Sequence, residues 1–203
     1  MGNSITADRV FEINGVTVNE YLLENHNVNN IPLPPQRNSE KPFGVVIHNT
    51  EVVESDDCGR SYTIATINGN MENSRTHFYV THLSAWQNLP LDSTNWTCGD
   101  FKTKGNGNWG CISLEIIMNG TTGDNNIKAR DNGARMAAYL LKKYGLTIDD
   151  MYTHNYFLNV RDGVNGDYMT LCTTPGKDRN CPLYIVGDWE GFRKQISGYM
   201  GEI

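Results

Sequence analysis

Three side chains in this sequence are of the type that binds a transition metal and sit where a fold can present them. His48 closes a short apolar run, His154 follows another, and Cys181 lies in an Asn-Cys-Pro step. Two neutral imidazoles and a thiolate make a competent catalytic zinc set, because such a site needs three protein ligands and an open fourth position. The positions are too far apart to form a local motif, and single His and Cys residues are often just packed or solvated. Two further residues have chemistry to offer. Glu115 lies in CISLEII (111–117), where Cys111, Ser113 and Glu115 share one strand face and Ile112, Leu114 and Ile116 the other. A carboxylate there either faces solvent, has a partner or has a function. Arg179 stands two residues before Cys181, where a solvated loop cation is the ordinary reading.

The elements that must position these residues read as alternating strands and helices. FGVVIHNT (43–50) is a buried strand, THFYVTH (76–82) alternates, AWQNLPL is extended and CISLEII is a third clear strand. Residues 56–71 open on acids that suit a helix N-terminus, and 126–144 give the strongest helix. In that helix Ala134, Ala137, Ala138, Leu141 and Tyr144 line one face, and Gly145 is placed to cap it. MYTH (151–154) reads as a strand, 158–180 as a glycine-rich loop, and 188–200 as an amphipathic terminal helix. Residues 1–40, Asn-rich and with three prolines in IPLPPQ, read as an irregular lead. The expected fold class is α/β, a central mixed β-sheet flanked by helices.

Composition excludes several classes. The 203 residues carry a net charge of −6, which argues against a broad basic face for nucleic acid. Apolar residues are 38% of the chain, an ordinary globular share, and no apolar run approaches the ~20 residues of a membrane span. The first fifteen residues hold one Arg, two acids and no apolar core, so no signal peptide is expected. Five cysteines at irregular spacing are not a disulfide framework.

Taken in order, VVIHNTE (45–51), RTHFYV (75–80), AWQNLPLDSTNWTCGD (85–100), GNWGCISLEI (107–116), YTHNY (152–156) and RNCP (179–182) resemble the zinc-dependent N-acetylmuramoyl-L-alanine amidases of the type 2 family. These share a fold with bacteriophage T7 lysozyme and the peptidoglycan recognition proteins. The resemblance runs from about residue 40 to 192, and is nearest to clostridial phage endolysins and autolysins. It implies a zinc amidase catalytic domain at 41–203, with Zn2+ on His48, His154 and Cys181. Glu115 is implied as the proton-transferring carboxylate and Arg179 as the oxyanion donor, where relatives usually hold Lys. His77 is implied as structural support. The implied substrate is peptidoglycan, cut between N-acetylmuramic acid and L-alanine, with neither nucleic acid nor membrane as partner. The protein would be made in the cytoplasm and reach the wall on release.

The resemblance also marks departures. Thr76 stands where T7-like enzymes have Tyr, and Thr97 and Cys98 where His and Ala are common. The stretch 158–178 reads as an insertion close to the metal. Two other readings fit the same residues. A muropeptide-binding module would keep the fold without cleavage, and a cysteine hydrolase would use Cys181 as nucleophile with His154 as base.

Overall fold

The structure, a computed structural model, describes residues 4–26, 28, 31–53, 56–100, 106–163 and 180–202. Its centre is the expected mixed sheet, here seven-stranded in the order β1-β2-β5-β4-β6-β3-β7. The strands are β1 (Arg9–Ile13), β2 (Val16–Glu20), β3 (Gly44–Thr50), β4 (Phe78–Val80), β5 (Ala85–Gln87), β6 (Cys111–Ile117) and β7 (Met151–Thr153). The helices are α1 (Cys58–Ile67), α2 (Asn106–Gly110), α3 (Asp124–Lys143), α4 (His154–Arg161), α5 (Leu183–Val186) and α6 (Trp189–Glu202). Strands β4, β6, β3 and β7 run parallel to their neighbours in that row, while β1 with β2 and β4 with β5 are antiparallel.

One sheet face carries the main core. Val45 and Ile47 of β3 and Ile112, Leu114 and Ile116 of β6 pack against Ala134, Ala137, Ala138 and Leu141 of α3 and Trp189, Phe192 and Ile196 of α6. The contact is close at Gly133, where a Cβ would lie 2.3 Å from Ile116 Cδ1, so a side chain there would push α3 off the sheet. Since side chains alternate along a strand, the same packing turns Val46 and His48, Ser113 and Glu115 to the opposite face. That face holds smaller clusters, with Val46, Cys98, Cys111, Tyr152 and Phe157 in one, and Tyr79, Trp86, Leu89 and Ile117 in another.

The lead at 1–40 is not irregular throughout. Residues 9–20 form the β1–β2 hairpin, and β2 extends the sheet by pairing in parallel with β5. The turn is Asn14-Gly15, with φ of 48° and 79°, the left-handed pair that a tight two-residue hairpin needs. Other boundaries shift. Helix α1 covers Cys58–Ile67 within the expected 56–71, and the 76–82 run contributes only Phe78–Val80 to the sheet. The first four residues of the expected 158–178 insertion are the last turn of α4, which buries Phe157 and Leu158. Residues 164–178 of that stretch lie outside the described residues. Helix α3 starts at Asp124 and ends as expected, with Gly145 N–H bonded to the Lys142 carbonyl.

Candidate functional site

Register brings the candidate residues into a row. In the parallel β3–β6 pair His48 stands opposite Glu115, on the face turned away from the α3 core. On its other side β3 pairs with β7, Ile47 opposite Thr153, so the next residue, His154, comes level with His48. The chain leaves the strand there because the Thr153 hydroxyl accepts from Tyr156 N–H at 3.1 Å and caps α4. The two imidazole rings lie 4.6 Å apart, centre to centre. Cys181, in the segment that leads into α5, completes the group.

The ligating atoms of His48, His154 and Cys181 all lie within 4.8 Å of one another, and His48 Nδ1 is 3.8 Å from Cys181 Sγ. Zinc at 2.0–2.1 Å from nitrogen and 2.3 Å from sulfur requires a tetrahedral N-to-S edge of about 3.6 Å, so the donor set fits the ion in kind and in size. Both histidines are buried, and Cys181 is half-buried. Burial first, and then the neighbouring His154, hold His48 well below the usual imidazole range, in the neutral form that a metal ligand requires.

Glu115 places Oε1 3.9 Å from His48 Nδ1 with its side chain 15% exposed, and burial pushes its pKa up to about 8. A carboxyl tuned close to neutrality can both take and return a proton. Arg179 lies outside the described residues. His77 stands apart from the ligand group. Its Nδ1 accepts from Ser113 N–H at 3.1 Å and its Nε2 lies 3.3 Å from the Ser93 carbonyl, so it joins β6 to the segment after β5.

The departures from the resemblance are placed as well. Thr76 is buried with its hydroxyl 3.0 Å from Ser113 Oγ, and Thr97 donates to Asn95 Oδ1 at 2.7 Å. Cys98 is the residue that the sequence reading did not connect to the site. Its buried Sγ lies 3.9 Å from His48 Nε2, whereas Cys181 approaches Nδ1 of the same ring. The only sequence signal for it was the Cys in TCGD where Ala is common. Among the described residues, Cys98 and Cys111 are free thiols.

The sequence pattern of the N-acetylmuramoyl-L-alanine amidase family matches residues 38–182, a span that contains His48, His154, Cys181 and Glu115. The chain belongs to this type 2 amidase family. Over 110 residues it is 32% identical to the N-acetylmuramoyl-L-alanine amidase XlyB of Bacillus subtilis (strain 168), a stretch covering 54% of this chain and 33% of XlyB. Over 156 residues it is 26% identical to CwlH of the same organism, covering 77% of this chain and 53% of CwlH. The chain thus spans between a third and about half of these relatives. Its fold is that of the PlyG catalytic domain, with a TM-score of 0.64 at 24% identity, covering 90% of this chain and 94% of that domain. Among the described residues of this family member, no helix is long and apolar enough to cross a membrane.

Proposed function

We propose that this chain is a zinc-dependent amidase that hydrolyses the bond between N-acetylmuramic acid and L-alanine in peptidoglycan, as the catalytic domain of an endolysin or autolysin. The observation that carries the reading is the convergence of His48, His154 and Cys181, with the Glu115 carboxylate beside them. The family match and the amidases XlyB and CwlH support the choice of bond. Zinc held by the three ligands would supply Lewis-acid activation of water and of the scissile carbonyl. Glu115 takes the proton of the attacking water as the C–O bond forms, and returns it to the departing L-alanine nitrogen when the C–N bond of the tetrahedral adduct breaks. Arg179, always charged, donates hydrogen bonds to the oxyanion but moves no proton. The catalytic domain, proposed at 41–203, takes the N-terminal hairpin into its sheet, and its place of action is the cell wall after release from the cytoplasm.

A second reading draws on one distance, the 3.8 Å between Cys181 Sγ and His48 Nδ1, which also suits a thiol nucleophile with an imidazole base. The second imidazole, His154, and the family favour the metal. The test of the proposed bond is product chemistry. Purified sacculi treated with the protein should gain free L-alanine amino groups and no new reducing sugar ends. New reducing ends, or amino groups from elsewhere in the stem, would overturn the assignment.

A further inference from the structure

We propose that Asn49 and Asn155, which directly follow the two candidate histidine ligands, are positioning residues that hold the third ligand in place before any metal binds. The inference rests on the reading of His48, His154 and Cys181 as a metal centre. Asn155 is fully buried, and its side chain and backbone grip one residue. Its Oδ1 accepts from Cys181 N–H at 2.9 Å, and its own N–H donates to the Cys181 carbonyl at 3.0 Å. Both backbone polar groups of Cys181 are thus matched by a single partner, whose Nδ2 also donates to Asn180 Oδ1 at 3.1 Å.

Asn49 holds the other end of the same segment. Its Oδ1 accepts from Tyr184 N–H at 3.0 Å, in the first turn of α5. Its Nδ2 lies 2.9, 3.3 and 3.1 Å from the carbonyls of Thr50, Ile116 and Met118, at the ends of β3 and β6. Residues 181–184 are therefore pinned at one end by the residue after His154 and at the other by the residue after His48. Each histidine brings its own Asn, so the strand register that sets the two imidazoles also sets the thiol. An amide supplies an acceptor and a donor on separate atoms without charge, and a buried carboxylate in its place would lack the donor. A ligand loop ordered in this way leaves little to arrange on metal binding, whereas a loose one would lose affinity to ordering entropy.

Zinc affinity of the full chain, measured by competition with a chromophoric chelator, tests this, together with the cobalt(II) absorption spectrum and the melting temperature without metal. Replacing residues that orient metal ligands typically weakens metal affinity by about 10–100-fold, and Asn155→Ala is expected in that range. Its thiolate-to-cobalt absorption should weaken as Cys181 is placed less well. Asn49→Ala, acting three residues further on, should weaken zinc binding less, and it decides the matter should Asn155→Ala not fold. A folded variant with a lower melting temperature but unchanged zinc affinity and cobalt spectrum would overturn the proposal and leave both Asn as packing residues. Absence of zinc binding by the unaltered protein would instead overturn the metal reading on which the proposal depends.

Discussion

Replacing His77 by Gln should change how stability responds to acid, by an amount that the structure sets. His77 is fully buried, and burial, aided by Arg37 and opposed by the bond to Ser93, lowers its pKa from 6.5 to about 3. Its hydrogen bonds fix the neutral form, since Nδ1 accepts from Ser113 N–H while Nε2 faces the Ser93 carbonyl. Below pH 6.5 the unfolded chain takes up a proton on this ring that the folded chain refuses. The unfolded state then binds more protons, so stability falls as pH falls, through the window from 6.5 down to about 3. Each pH unit in that window costs about 1.4 kcal/mol, so acidification to pH 4.5 removes about 3 kcal/mol through His77 alone. Urea unfolding at pH 7.5 and pH 4.5 measures it. Gln can keep the donation to Ser93, and both proteins share His48, His154 and the carboxylates, whose pH dependence cancels in the difference. The expected outcome is that His77→Gln is less stable than the parent at pH 7.5 but loses about 3 kcal/mol less on acidification. Equal losses in the two proteins would refute a buried neutral His77, and loss of bound zinc in the variant would refute its separation from the metal site.

Substitutions at three further positions address the site and the scaffold. Glu115→Gln keeps the shape of the side chain but cannot take a proton, so kcat on sacculi should fall by about 10²–10⁴ with zinc content and melting temperature retained. Arg179→Ala should lower kcat by about 10²–10³ and raise KM less, since an oxyanion donor acts in the transition state; an unchanged kcat removes Arg179 from the reaction. Gly15→Val should destabilise the protein by about 1–2 kcal/mol in urea, with Gly15→Asn milder, because β-branched residues resist a left-handed backbone. The cost should come from the backbone at φ 79°, since a Cβ there meets nothing nearer than Arg135 Nη1 at 3.7 Å.

Much of the scaffold can be read from the chain because its signals are local. β3 opens on the apolar run Gly44–Ile47, and in β6 the face that holds Ser113 and Glu115 follows from alternation alone. Helices α3 and α6 fall within two residues of their apolar periodicity. The hairpin at 9–20 carries a strong turn signal in Asn14-Gly15, but its strands are only five residues each and precede the Asn- and Pro-rich stretch at 25–36, which gives the lead its irregular character. Helix α4 is short, and its cap is a Thr hydroxyl in a run that otherwise reads as strand and loop. The site is legible only in part. Residue types single out His48, His154, Cys181 and Glu115, but the row they form comes from pairing β6, β3 and β7, strands far apart in sequence. Cys98 and Asn155 meet the site through contacts that no local pattern encodes.

On the proposed reading, His48, His154 and Cys181 hold a zinc ion that hydrolysis requires. Metal content and amidase activity on sacculi, followed in one preparation through chelation and zinc return, test it most directly. The expected result is one zinc per chain, with L-alanine amino groups released, lost on chelation and restored by zinc. Activity indifferent to complete metal removal would contradict the claim and point to Cys181 as a nucleophile, and zinc bound without any cleavage would leave a muropeptide-binding module.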